Sequence, residues 1–314
     1  MFVKKQKDLN DKELISVTGV TPFSLSDTLE CGQAFRYELT EKEDGYVEYM
    51  TVVGDKLIRV GQAEDGELVF LGISEDDFFG ICVPYFSLDT DYGEIKLDIK
   101  EKNGPAKLSE AADAAEGIRI LRQDPWETLF SFIISQNNNI PRIRKIIRTI
   151  SAEYGKNLAE GLAECPKRKG LTPSPEVCSA CGCCYTFPTP ESVLARPEGL
   201  LSSRPGFRYK YLIDAAEKVL SGEVNLEKIK NEKNTEYTIF ELKKIKGVGD
   251  KVASCVALFG FENLDAFPID VWIKRANEEY FDGKLDPHSL GKYAGVAQQY
   301  IFHYIRNLDK DDDK

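Results

Sequence analysis

Between residues 12 and 71 apolar and polar side chains alternate in short runs, as in Phe35-Arg36-Tyr37-Glu38-Leu39, Tyr46-Val47-Glu48-Tyr49-Met50 and Lys56-Leu57-Ile58-Arg59-Val60. A period of two puts one face of each run on a core and the other in water, and turns such as Glu43-Asp44-Gly45 separate the runs, which predicts an antiparallel sheet. From about residue 75 the period becomes helical. Trp126 to Ile134 and Ile140 to Ile150 read as amphipathic helices broken at Gln136-Asn137-Asn138-Asn139. The stretch 155–190 follows neither period; rich in Gly, Pro, Cys and charge, it reads as a loop or small insertion. The pattern predicts an α+β chain: a twisted antiparallel sheet domain over residues 1–105, then a helical domain over 106–314 with a Cys-rich insertion at about 155–186. The acidic end, Asp309 to Lys314, is expected to be frayed and solvated.

A chain of 314 residues suits two domains better than one core. No apolar run approaches the ~18 residues of a membrane span, and the polar start Met1-Phe2-Val3-Lys4-Lys5-Gln6-Lys7-Asp8 lacks a signal core, so a cytoplasmic location is expected, nucleoid-associated in a prokaryote. A net charge of −11 argues against a polyanionic partner until its distribution is considered. Residues 1–100 hold 21 acidic and 10 basic side chains, which accounts for the whole excess. The neutral remainder can carry a basic face; Arg142, Arg144, Lys145 and Arg148, then Arg204, Arg208 and Lys210, then Lys243, Lys244 and Lys246 are the candidates. Ordinary solvated helix faces would look the same.

The most informative chemistry lies in Leu242-Lys243-Lys244-Ile245-Lys246-Gly247-Val248-Gly249-Asp250-Lys251-Val252-Ala253-Ser254-Cys255. Two helices meeting at a Gly-x-Gly hairpin would present the amides opening the second helix to an anion such as a DNA phosphate, though a plain helix corner has the same spelling. Lys251 in the first turn lies at the positive end of the helix dipole, where its charged form is disfavoured, and a neutral amine attacks electrophilic carbon. A surface lysine is the bland alternative. Cys255, four residues on, shares its face. Asp270, just before a helical pattern in Ala266-Phe267-Pro268-Ile269-Asp270-Val271-Trp272, can cap that helix and hold a carboxylate near developing positive charge.

Gly-Val-Gly-Asp-Lys251 followed nineteen residues later by Asp270 in Pro-Ile-Asp resembles the helix-hairpin-helix DNA glycosylases, whose bifunctional members carry the lysine. Gly117-Ile118-Arg119-Ile120-Leu121-Arg122-Gln123-Asp124-Pro125, Phe132 to Ile140, and Ala294 to Phe302 narrow the likeness to the 8-oxoguanine DNA glycosylase/lyase family. The resemblance implies a TBP-like N-terminal sheet, an all-α catalytic domain, and excision of 8-oxoguanine opposite cytosine from damaged double-stranded DNA by a monomer in base excision repair. It makes Lys251 the nucleophile on C1′ and Asp270 its electrostatic partner. The extruded base lies between Cys255 and Phe302, with Gln298 on its Watson–Crick edge and the Gly32 carbonyl accepting from N7–H. Asn137 resembles the plug of the vacated space, Arg142 and Arg208 the readers of the orphan cytosine, and Phe207 a wedge where the family often has tyrosine. Gly247 and Gly249 belong to the DNA-binding hairpin. Trp272 stands where some members have histidine. No metal or redox cofactor is required for catalysis. The alternatives are a monofunctional glycosylase for alkylated bases, which lacks the lysine, and a non-catalytic DNA-binding module, which needs neither Lys251 nor Asp270.

Five of the eight cysteines fall in the insertion: Cys165, Cys178, Cys181, Cys183 and Cys184. Cys178-x-x-Cys181 has the bite of a zinc knuckle, and Cys165 with Cys184 or Cys183 completes a structural Zn set. A disulfide, free thiols or an iron–sulfur cluster compete with that reading. The superfamily's iron–sulfur members place their cysteines after the catalytic aspartate, and no cysteine follows Cys255 here.

Overall fold

The computed structural model describes residues 1–7, 13–101, 106–159, 162, 165, 172, 174, 177–178 and 181–312. Its sheet comprises β1 (Phe2–Lys7), β2 (Glu13–Thr18), β3 (Tyr37–Glu43), β4 (Tyr46–Val53), β5 (Lys56–Ala63) and β6 (Leu68–Leu71), in the spatial order β1-β2-β6-β5-β4-β3. Each neighbouring pair is antiparallel, and β4 meets β5 in register from Tyr46↔Ala63 to Val53↔Lys56. The expected period of two holds in β5 and β6, where Ile58 and Val60, Leu68 and Phe70 are buried, but not in β4, whose Glu48 to Val52 are buried on both faces because Met50 packs against Cys178 and Cys184 of the insertion.

Two features depart from a plain sheet over 12–71. The edge strand β1 lies ahead of that range, and its Phe-Val-Lys-Lys-Gln-Lys sequence carries no apolar alternation because it is almost wholly exposed. A short helix, α1 (Leu25–Glu30), interrupts the strands after β2; Ser24 caps it by accepting from the Asp27 amide.

Among the described residues the remaining α-helices of six or more residues are α2 (Tyr92–Glu101), α3 (Ala106–Ala114), α4 (Pro125–Ser135), α5 (Ile140–Tyr154), α6 (Pro190–Ala195), α7 (Tyr209–Leu220), α8 (Leu226–Glu232), α9 (Thr235–Leu242), α10 (Asp250–Phe261), α11 (Val271–Tyr280) and α12 (Ala294–Asp312). The break between α4 and α5 falls at Gln136–Asn139 as expected. Asn139 caps α5 and Asp124 caps α4, each with Pro in the first turn, where a missing N–H is harmless. The C-terminal acidic residues do not fray: α12 runs through Asp312, with residues 313–314 outside the described chain.

Two hydrophobic clusters organise the chain. One joins the sheet to Phe78, Phe86 and Leu88, with Phe70 meeting the Phe78 and Phe86 rings edge-on at 5.1 and 5.8 Å. The other gathers α2 to α12 around α4 and α10, whose Phe132 and Phe259 rings stack at 5.5 Å. The segment after α1 straddles both, because Leu29 and Ala34 face the sheet core while Cys31 and Phe35 face the helical one.

Arg36, two residues past Ala34, ties three elements. Its guanidinium is paired with Glu127 of α4 at 2.7 Å, and it donates to the Val52 carbonyl of β4 and to the Tyr185 carbonyl of the insertion. Removing one partner of such an ion pair leaves the other charge buried and unmet. Arg36→Ala should therefore cost about 3 kcal/mol of stability, read as a lower urea midpoint, while Arg36→Lys should recover only part of it because an ammonium cannot span the same acceptors.

Candidate active site

Helix α10 opens without a side-chain cap: Gly249 precedes it, and Lys251 sits half-buried in its first turn. One turn on, Cys255 is buried on the same helical face as Lys251. Burial pushes the Cys255 thiol up to about 11, against the pull of Lys251, so it is a neutral thiol at physiological pH. Across the cleft Asp270 caps α11, its Oδ1 accepting from the amides of Trp272 and Ile273 at 3.0 and 2.9 Å. The expectation that Asp270 caps a helix is met, and the same two amides aim its carboxylate.

Lys251, Cys255 and Asp270 line one slot of about 60 Å³ together with Gly32, Gln298 and Phe302. Six residues from four separate parts of the chain, each singled out from sequence, are thus brought together. The slot has room for a few water molecules and is partly open to solvent. Its walls are the buried rings Phe132 and Phe259, and the Lys251 Nζ stands 5.4 Å from the Phe132 ring centroid, a cation–π distance.

Gly32 enters at φ +88, a conformation that favours glycine. A Cβ there would lie 3.9 Å from the Phe302 ring, so sterics alone would admit one and the dihedral is the constraint. Its neighbour Gln33 is fully buried and saturated: Nε2 donates to the Thr28 and Arg119 carbonyls at 2.8 and 2.7 Å, and Oε1 accepts from the Leu121 amide. On α12, Gln298 is buried with its Oε1 taken by the Nε2 of Gln299 at 2.8 Å. Gln299 also lines the slot, and its own Oε1 is buried without a partner. Sequence reasoning passed over Gln299; the doubled amide in Gln298-Gln299 was the available signal.

A second group lies at the α4–α5 break. Asn137 adopts φ +47 and is exposed at the tip of the turn. Arg208 is buried, and its guanidinium donates to the carbonyls of Gln136, Asn137 and Pro205 instead of standing free. Burial, then the neighbouring charge of Arg142, lowers its pKa. Phe207 is 53% exposed, with the Arg208 guanidinium 4.5 Å from its ring centroid, and it meets Tyr211 edge-on.

Tyr211 connects this group to the hairpin. Gly247 has φ +80, and a Cβ would come within 2.3 Å of the Tyr211 ring. Gly249 differs: it has an ordinary φ of −97 and open space around it. Asp214 of α7 holds the turn by accepting from the Lys246 amide at 2.7 Å.

The basic clusters are less uniform than their spelling. Arg144 and Arg148 face Glu38, Lys243 pairs with Asp250, Lys244 with Glu241 and Lys246 with Asp214. These clusters are therefore not continuous cationic faces. In the insertion all five cysteines are free thiols. The sulfur of Cys181 lies 3.9 Å from Cys165 and 2.9 Å from Cys183, and Cys183 lies 3.5 Å from Cys184. Among the described residues no three His, Cys, Asp or Glu side chains are set out as a metal cage. Nor, among them, is any helix long and apolar enough to cross a membrane.

A helical hairpin whose second helix carries an amine, facing a helix-capping carboxylate across a slot closed by an aromatic ring, defines a helix-hairpin-helix protein built for base excision. Residues 16–129 match the family model of the 8-oxoguanine DNA glycosylase N-terminal domain. An N-glycosylase/DNA lyase of Saccharomyces cerevisiae is 30% identical over 280 residues, covering 82% of this chain and 68% of that protein. The Arabidopsis thaliana N-glycosylase/DNA lyase OGG1 is 26% identical over 90% of this chain and 77% of its own length. Among solved structures, MBOgg1 with a low-affinity DNA ligand superposes with a TM-score of 0.81 at 38% identity, covering 98% of this chain and all of that one. The Clostridium acetobutylicum 8-oxoguanine glycosylase/lyase, bound to double-stranded DNA with cytosine opposite 8-oxoguanine, gives 0.81 at 34% identity over 98% and 99%. The chain belongs to the 8-oxoguanine DNA glycosylase family.

The two hairpin glycines should respond differently to the same substitution. Gly247→Ala meets both a positive φ and the Tyr211 ring, so it should lower stability by about 2 kcal/mol or more in a denaturant melt. Gly249→Ala should leave the melt unchanged yet weaken duplex binding several-fold in a titration, because its Cβ occupies only the space an approaching phosphate would use.

Proposed function

We propose that this chain is a bifunctional DNA glycosylase/lyase that excises 8-oxoguanine opposite cytosine from duplex DNA. The observation that carries the reading is the convergence of Lys251, Asp270, Gly32, Gln298 and Phe302 on one slot. Lys251 Nζ attacks C1′ of the everted nucleotide; the glycosidic bond breaks, and the base leaves with its electron pair and takes up a proton. Positive charge on the sugar develops beside Asp270, whose carboxylate is already aimed by two amides. Loss of the amine's protons with opening of the sugar ring gives an imine, and removal of a C2′ proton expels the 3′ phosphate. Cys255, a neutral thiol, places no negative charge beside Lys251.

The Gly32 carbonyl is the group that separates 8-oxoguanine from guanine, since only the oxidised base carries N7–H. Gln33 makes that carbonyl rigid, and a shift of a few tenths of an ångström would blur the distinction. Entry of the base requires Phe302 and Cys255 to part, after which the ring stacks between them. Asn137 fills the vacated space, Phe207 wedges beside it, and Arg142 with Arg208 reads the orphan cytosine. Arg208 must release a turn carbonyl to do so.

For the insertion the reading is a structural Zn²⁺ held by Cys165, Cys178, Cys181 and Cys184, with Cys183 competing for the fourth place. The turn supports it: the Gly182 amide donates to the Cys178 carbonyl at 2.7 Å with Gly182 at φ +63, the bend that lets two cysteines converge. Sulfurs around zinc sit ~3.8 Å apart, so the 2.9 Å Cys181–Cys183 contact has to open when metal enters. The metal supplies no catalytic step.

Borohydride should trap a covalent complex between the wild-type protein and duplex DNA holding 8-oxoguanine opposite cytosine, and Lys251→Gln should abolish it. Base release without trapping would point to the monofunctional class instead. Asp270→Asn should keep DNA binding but slow base release by at least 100-fold, ~3 kcal/mol of transition-state stabilisation. Elemental analysis should find about one zinc per chain, lost in Cys178→Ser/Cys181→Ser; metal-free wild-type protein with an unchanged melt would remove the zinc assignment.

A further inference from the structure

Among the described residues, the sorting of the basic clusters leaves a group of cations without ion-pair partners along α5. On α5, Arg142, Lys145 and Thr149 share a face about 110° round the helix from Arg144 and Arg148, which are engaged by Glu38. That face meets the two-turn 3₁₀ helix Pro197–Ser203 and its C-cap Arg204 across a groove of about 520 Å³. Arg142, Lys145 and Arg204 are exposed, no carboxylate lines the groove, and among the described residues none of the three has an ion-pair partner. The hydroxyls of Ser202, Ser203 and Thr149 already donate to the carbonyls of Gly199, Leu200 and Lys145. What the groove offers a ligand is therefore positive charge.

Backbone geometry points the same way. Arg204 is held at φ 54, ψ 55, a left-handed conformation that costs a non-glycine residue about 1 kcal/mol, and Pro205 follows it directly. The turn sets this arginine at the mouth of the groove, immediately before Gly206-Phe207-Arg208. At the other end Arg142 lies close enough to Arg208 to perturb it. The groove thus runs outward from the station assigned to the orphan base.

We propose that this groove is a phosphate-binding track for the undamaged strand, in which Lys145 and Arg204 hold phosphodiesters next to the nucleotide opposite the lesion. The proposal rests on the reading of the chain as an enzyme of duplex DNA, and it adds a strand and a site to that reading. It also assigns a task to residues that touch neither the lesion nor the orphan base: they fix the undamaged strand while the other is distorted. Each neutralised phosphate releases condensed counterion, so the groove should be visible as salt dependence.

The test compares wild-type protein with Lys145→Ala/Arg204→Ala, both positions being exposed and away from the slot. On a duplex with 8-oxoguanine opposite cytosine, the slope of log K against log salt should become shallower by ~1.8, with binding at 0.1 M salt weaker by about tenfold or more. Single-turnover base release at saturating DNA should stay within twofold and the melt should be unchanged. Neutral methylphosphonate linkages are then stepped along each strand. Those flanking the orphan cytosine should reduce wild-type binding to the level of the variant, whereas those in the lesion strand should leave the gap between the two proteins intact. An unchanged salt slope, or a gap erased only by lesion-strand linkages, overturns the proposal. Failure of borohydride trapping in wild-type protein would instead undo the catalytic reading, and does not alter what the salt slope reports.

Discussion

A single buried amide, that of Gln33, joins the halves of the molecule on which its chemistry depends. It satisfies carbonyls of α1 and of the 117–121 strand-like segment while accepting from Leu121, and its own carbonyl receives the Gln123 side chain at 2.8 Å. A buried amide so fully engaged is far stiffer than an apolar contact, since any displacement strands a polar group away from water. Gly32, one residue earlier, therefore faces the helical core from a fixed position. Arg119 reinforces the seam: fully buried, it donates to the carbonyls of Pro22, Ser87 and Thr90. The lysine-bearing helix α10 is clamped separately by Asp214 and Tyr211 through the hairpin.

The site is thus two rigid walls with one yielding side. Gly32 and Lys251 stand on elements saturated with hydrogen bonds, whereas Phe302 is only partly buried at the edge of the helical core, with the Arg306 guanidinium 5.2 Å from its ring centroid. Phe302 is therefore the side that the entry of a base would displace. Selection then acts on the energy of opening, which a stacked purine returns and a solvent molecule does not.

Much of this was legible because hydrophobic period and helix punctuation are local. The sheet from β2 onward, the break at 136–139, the hairpin and the capping role of Asp270 each follow from a few adjacent residues. The edge strand β1 was not, since an exposed strand has no buried face to impose alternation. The persistence of α12 through Asp312 escaped for a related reason: an acidic tail reads as solvated whether it is coil or helix. Resemblance to the glycosylases supplied what spacing could not, such as a carbonyl's role at Gly32, which leaves no side-chain mark. Charge was the least legible quantity. Which arginine keeps its charge depends on contacts such as Glu38 with Arg148, 110 positions apart in sequence.

That last point bears on how an acidic protein holds a polyanion. With a formal net charge of −11, long-range attraction to DNA is weak, so encounter relies on local fields. The acidic surplus is partly consumed internally, as Glu38 and Glu48 neutralise Arg148 and Arg59. Cations left unpaired then mark where phosphate fits, and a non-matching surface is repelled instead of loosely bound. A search enzyme gains from this arrangement, because weak sequence-independent binding shortens each visit to intact DNA. On the proposed reading, the free energy needed for distortion is drawn only when the hairpin, the orphan-base station and the groove beside it are engaged together.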